Sequence, residues 1–196
     1  MEHIFKKKGV RVLVLLHGTS GNEHDLVNIA EIMDPEASLL GIRGSVEKDG
    51  KNIFFNQADE KGIYNLADLQ AKAKELAEFI QTAAKQYEFS LSDCVFVGYD
   101  NGANIAIQLL VNQFPIHQAI LLHPNFPVEL EQKPDFSQVQ VYLTMGRNDP
   151  EIPLEDYRRV FSLFDNNDAE VTQMWSEDER VTYDEVTNAK IWLEEA

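Results

Sequence analysis

Short apolar runs alternate along the chain with longer stretches whose apolar residues recur at helical spacing. Val12–Leu16 (VLVLL) is five consecutive β-prone apolar residues, the mark of a strand buried on both faces of a sheet. Similar runs stand at residues 37–42, 94–97, 119–122 and 139–145, while residues 169–175 alternate more, as an edge strand would. Between residues 66 and 88, Leu69, Ala73, Leu76, Ile80, Ala83 and Tyr87 line one helical face. Residues 23–33 and 102–114 read as shorter amphipathic helices, and Pro153 suits the first position of another. Thr182 and Glu185 form a capping box ahead of a last helix over Tyr183–Glu195. Residues 44–64 follow neither period and are expected to form a long loop on the functional face. Its Phe54, Phe55 and Tyr64 either wall a ligand or pack the loop down. Strand–helix alternation of this kind predicts an α/β fold, a mostly parallel twisted sheet with helices on both faces.

At 196 residues and 44% hydrophobic, the chain is long enough to bury a core, and residues 1–196 read as a single domain. Charge narrows the function. With 33 acidic against 17 basic residues, a net charge of −16, the chain lacks the basic footprint of a nucleic-acid partner and repels anionic lipid. One cysteine, Cys94, excludes an internal disulfide and a multi-cysteine metal site. No metal or cofactor is expected. The apolar run after Lys6-Lys7-Lys8 is too short for a signal peptide, and no run reaches the ~18–20 residues of a membrane span. The expectation is a cytoplasmic protein without membrane insertion.

Open parallel sheets place their ligands beyond the carboxyl ends of the strands, and there the informative residues lie. His17-Gly18-Thr19-Ser20-Gly21-Asn22-Glu23-His24-Asp25 follows the first strong strand. Gly98-Tyr99-Asp100-Asn101-Gly102 runs from a strand straight into a helix, and Gly146-Arg147-Asn148-Asp149-Pro150 follows a later strand. The order is that of an α/β-hydrolase: oxyanion loop, nucleophile elbow, then an acid. LLHGTSGNEHDL, GYDNGANIA, LLHP and GRNDP together resemble the carboxylesterase/phospholipase group of small hydrolases, relatives of the acyl-protein thioesterases. The resemblance runs from about residue 10 to the C-terminus and implies an α/β-hydrolase fold with minimal or no cap. It also implies oxyanion donors at the Thr19 and Asn101 amides. The pocket would be lined by His17, Gly18, Arg43, Phe55, Tyr99 and His123.

The departures from the pattern matter more. Where the group's elbow carries serine, this chain has Asp100, and alignment on Val181-Thr182 puts Glu179 where the histidine belongs. Only the acid, Asp149, is kept. None of the five histidines, at 3, 17, 24, 117 and 123, follows the last strand, so serine-ester chemistry lacks both nucleophile and base. His17, His24 and His123 are expected to orient loops. Asp100 suits a helix cap, the positive end of the helix dipole and a positive φ. Its carboxylate is also placed to stand in the oxyanion site as a fixed anion. Haloalkane dehalogenases and epoxide hydrolases use aspartate at this elbow as a nucleophile, but they need a histidine to release the product. Asp100, Asp149 and Glu179 in one site would need a proton, Arg147 or Arg180, water, or a cation as compensation.

The expected function is a carboxylesterase-like hydrolase of degenerate triad that retains a pocket for a small molecule or partner. The alternatives are hydrolysis of small carboxylic esters by a carboxylate- or cation-assisted mechanism, and a structural or oligomerising protein. A homodimer is compatible with each.

Overall fold

The computed structural model describes residues 1–58, 62, 64–177 and 180–195. Its main sheet is built from β1 (His3–Lys6), β2 (Val12–Leu16), β3 (Ser38–Ile42), β6 (Cys94–Tyr99), β7 (Gln118–Leu122), β8 (Gln140–Gly146) and β9 (Glu170–Ser176). The spatial order is β1-β3-β2-β6-β7-β8-β9. Every neighbouring pair is parallel except β1, which runs antiparallel to β3. A separate hairpin joins β4 (Val46–Lys48) to β5 (Lys51–Ile53).

Because side chains alternate across a strand, β2 feeds both cores. Val12, Val14 and Leu16 pack toward α2 (Leu66–Tyr87), α3 (Asn101–Val111) and α4 (Leu154–Asp165), through Leu69, Ile105 and Tyr157 among others. Leu13 and Leu15 pack on the opposite face against α1 (Val27–Met33) and α5 (Tyr183–Glu195), through Ala30, Met33, Val186 and Leu193. Helices therefore cover both sides of a sheet whose central strands are buried throughout. Among the described residues no helix is long and apolar enough to cross a membrane.

The structure corrects several sequence expectations. Strand β1 has no counterpart in the apolar pattern, since four residues at an edge beside a lysine run carry little signal. Residues 44–64 are not one long loop. The hairpin turns at Asp49-Gly50, whose φ values are 53° and 73°, the left-handed pair that matches hairpin twist. Phe54 and Phe55 are buried in the core, so they pack this segment down and wall no ligand. Helix α1 starts at Val27, because residues 22–26 are held in turns, with Asn22 Oδ1 accepting from the His24 amide at 2.9 Å. Pro153 precedes α4 in an extended conformation, ψ 141°, and does not form its first turn.

One packing constraint shapes the site. A Cβ on Gly102 would collide with the Leu16 carbonyl oxygen, and one on Gly98 would lie 2.7 Å from the Ala103 Cα. Glycine at both positions lets α3 start directly against β2 and β6.

Candidate functional site

Asp100 occupies the corner between β6 and α3 with φ 47° and ψ −114°, a sparsely populated conformation for a residue with a side chain. The corner is pinned by its amide, which donates to the Leu122 carbonyl at 3.1 Å, and by its own carbonyl, which accepts from Asn104 at 3.0 Å. Its carboxylate makes no side-chain cap on α3, contrary to the capping expectation. It reaches instead to the loop after β2, where the Thr19 amide donates to Oδ2 at 2.9 Å. Oδ1 has a long contact of 3.4 Å from Gln57 Nε2. Asn101 opens α3. No hydrogen bond from its amide to the carboxylate is present among the described residues, and its side chain ties down residues 54–55. Asn101 Oδ1 accepts from the Phe54 amide at 2.7 Å, and Nδ2 donates to the Phe55 carbonyl at 3.1 Å.

The loop bearing Thr19 is held from behind by His17. This buried ring donates from Nδ1 to the Gly18 carbonyl at 2.7 Å and accepts the Gly44 amide at Nε2, 2.9 Å. Such a pair of bonds requires the neutral tautomer. Burial lowers the His17 pKa from its ordinary 6.5, outweighing the Gly18 carbonyl and the nearby acids that raise it. Below 6.5 the unfolded chain therefore binds a proton that the folded one resists, and stability falls with pH. Replacing His17 with Gln is expected to flatten that decline between pH 7 and pH 5, as read by urea denaturation. An unchanged slope would mean that His17 does not titrate with unfolding.

Arg43 is not turned to the pocket. Its guanidinium grips Glu23 through Nε–Oε2 at 2.5 Å and Nη2–Oε1 at 2.9 Å, and also pairs with Glu2. The side-chain hydrogen bond from Arg43 holds the Glu23 carboxyl below its ordinary pKa. His24 is exposed and near Glu23, His117 is exposed, and His3 bonds Tyr87.

A cavity of about 240 Å³ opens beside Asp100, with Gln57, Tyr99, His123, Asn125 and Asp149 in its wall. Tyr99 also borders a second cavity of about 430 Å³, which holds Gly18, Thr19, Leu26 and Arg180. Asp149 is locked by three donors: the Glu151 and Ile152 amides to Oδ1 at 2.8 and 2.9 Å, and the Tyr157 hydroxyl to Oδ2 at 2.7 Å. Burial, then this bond to Asp149, pushes the Tyr157 phenol far above its ordinary pKa. Burial, then the charge of Asp100, does the same to Tyr64.

His123 is the residue whose part the sequence reading understated. It directly follows β7 with φ 48° and is buried, and its Nε2 lies 2.7 Å from Glu185 Oε1. Glu185 is itself fully buried, its Oε2 accepting from the Thr182 amide at 2.6 Å and hydroxyl at 2.8 Å. The capping box is real, but its glutamate also clamps an imidazole, which ties the cavity wall to the start of α5. A protonated Nδ1 would be a buried N–H with no acceptor, because Nδ1 has no hydrogen-bond partner. The neutral ring, with its proton on Nε2 and a lone pair on Nδ1, avoids that cost.

The expected cluster of three carboxylates is met in part. Asp100 and Asp149 share one cavity, each with its own donors, while Glu179 lies outside the described residues. Arg147 is drawn away, 5.5 Å over the Trp175 ring and 3.7 Å from Glu177. Among the described residues no three histidine, cysteine or acidic side chains converge to hold a metal.

Comparison with known proteins agrees with this architecture. Residues 49–179 match the dienelactone hydrolase family. The chain is 37% identical to MhqD of Bacillus subtilis (strain 168) over 199 residues, covering 100% of this chain and 99% of MhqD. The crystal structure of the Bacillus cereus carboxylesterase superposes with a TM-score of 0.94 at 40% identity, covering 100% of this chain and 94% of the other. A structure of YahD with malic acid superposes with the same TM-score at 26% identity, over 99% and 98% of the two chains.

Proposed function

Because the chain belongs to the dienelactone hydrolase family and has a carboxylesterase-like α/β-hydrolase fold, we propose that it departs from its relatives at the chemical step. Its site performs no serine-ester hydrolysis and holds a small ligand in the cavity beside Asp100. One observation carries this reading. The Thr19 amide, a donor that would otherwise face a developing oxyanion, is already bonded to the Asp100 carboxylate at 2.9 Å. A permanent anion in that place competes with the transient one that acyl transfer must stabilise. Position 100 supplies no hydroxyl, and position 179 no imidazole to take its proton.

The expected result is that p-nitrophenyl acetate and butyrate are hydrolysed no faster than in buffer. A rate that follows the protein through purification and is blocked by a fluorophosphonate would overturn the reading. His123 favours a second reading, carboxylate-assisted hydrolysis of small esters in which a water gives its proton to the free Nδ1. That reading requires a fluorophosphonate-insensitive rate that disappears in His123→Gln.

A further inference from the structure

We propose that the cavity beside Asp100 is a binding site for a small primary ammonium ion, held by Asp100 Oδ1, His123 Nδ1 and Asn125 Oδ1. The inference rests on the reading above, that this site binds a ligand without acylation, and it adds the ligand's chemical class. The first observation is charge. Asp100, Asp149 and Glu151 stand in the wall, and among the described residues no lysine or arginine does. The second is hydrogen-bond demand. His123 Nδ1 and Asn125 Oδ1 are buried without a partner, and among the described residues Asp100 Oδ1 has only the 3.4 Å contact from Gln57. Buried acceptors of this kind are uncommon and costly. The Asp149 oxygens already take three donors, so this carboxylate contributes its charge and leaves the bonding to the other three groups.

Backbone geometry gives a third, independent observation. Asp100 and His123 directly follow adjacent strands, β6 and β7, and both have positive φ, 47° and 48°. Strain of this kind concentrates at ligand and catalytic sites, and here it falls on two of the three proposed contacts. A primary ammonium brings one positive charge and three N–H donors, matching three acceptors in a negative wall. A neutral alcohol brings one donor and no charge. A carboxylate adds to the charge already there. At about 240 Å³ the cavity has room for a small molecule of about eight water-sized groups.

The test is a titration of the full chain with ethylammonium chloride, tetramethylammonium chloride, ethanol and sodium malate at constant ionic strength. Binding is read from the backbone amide resonances of Thr19 and Asn125 and from the melting temperature. Ethylammonium is expected to saturate with a dissociation constant of about 10 mM or tighter, within reach of so small a ligand, and to raise the melting temperature. Tetramethylammonium, charged but without donors, should bind at least ~10-fold more weakly, and ethanol likewise. The near-isosteric Asp100→Asn should keep the fold and lose ~10-fold or more in ethylammonium affinity. His123→Gln, if folded, should weaken it as well. Saturation by malate or ethanol at equal or lower concentration would overturn the ammonium assignment while leaving a ligand pocket without ester chemistry. Unchanged affinity in Asp100→Asn, or no saturation by ethylammonium, would also overturn it. Appearance of serine-ester hydrolysis is a separate outcome, which would defeat the underlying reading.

Discussion

The variant combining Asp100→Ser with Glu179→His is expected to hydrolyse p-nitrophenyl acetate about 10³-fold faster than the parent, while either single change does little. Each single variant lacks one half of a proton transfer. Serine at 100 alone would have no added base, and histidine at 179 alone would have no serine hydroxyl at 100 to deprotonate. The rest of the apparatus supports the rescue. Removing the Asp100 carboxylate frees the Thr19 amide from its 2.9 Å bond. His17 still fixes the loop behind it through Gly18 and Gly44. Asp149, already oriented by two amides and Tyr157, would be the third member. Asp178 directly precedes position 179, and glycine there would widen the backbone freedom of the new histidine, so Asp178→Gly belongs in the series. A folded triple variant that binds ester and gives no turnover would show that the site has diverged beyond these three positions.

Replacing Glu185 with alanine is expected to cost about 2–4 kcal/mol, because it leaves the buried His123 Nε2–H and the Thr182 donors without their acceptor. In a chain of this length that lowers the melting temperature by about 10 °C. The loss has two sources, since Glu185 Oε1 holds His123 Nε2 at 2.7 Å and Oε2 holds Thr182 at 2.6 and 2.8 Å. Its ionisation carries a pH signature. Burial raises the Glu185 carboxyl pKa, but the hydrogen bonds from His123 and Thr182 together hold it below its ordinary 4.5. The ionised form therefore stabilises the fold above pH 4.5, and that contribution is lost as pH falls through the folded value. Glu185→Gln, which keeps the shape, should lose less than alanine and should converge with the parent below pH 4.5. Parallel urea-denaturation curves from pH 7 to pH 3.5 would contradict the assignment of that charge to Glu185.

The inner strands of the sheet were legible because they are buried on both faces. Val12–Leu16 is apolar at all five positions and fully buried, so the pattern left only the ends of such runs to settle. The helices over Leu66–Tyr87 and Tyr183–Glu195 were equally plain, having a regular apolar face or a strong start signal. Edge strand β1 was hidden, because a four-residue strand at a sheet edge needs no apolar run. The β4–β5 hairpin is signalled by Asp49-Gly50 alone, because strands of three residues are too short to show a period. Within the site, chain order put Asp100 and Asp149 at strand ends and so into one cavity. The His123–Glu185 contact spans 62 residues, and no local pattern reports which buried acid meets which imidazole. Arg43 and Phe55 lie near the expected pocket in sequence, yet a bidentate hold on Glu23 and burial in the core turn them to other tasks.

Position 100 holds a carboxylate bonded to the Thr19 amide and offers no nucleophilic hydroxyl. The most direct measurement is intact-mass spectrometry after incubation with a fluorophosphonate, with peptide mapping of any adduct. The parent protein should remain unmodified, while Asp100→Ser/Glu179→His should gain one adduct at position 100. A stoichiometric adduct on the parent, at Thr19, Ser20 or any other hydroxyl, would contradict the account by revealing an activated nucleophile in this chain.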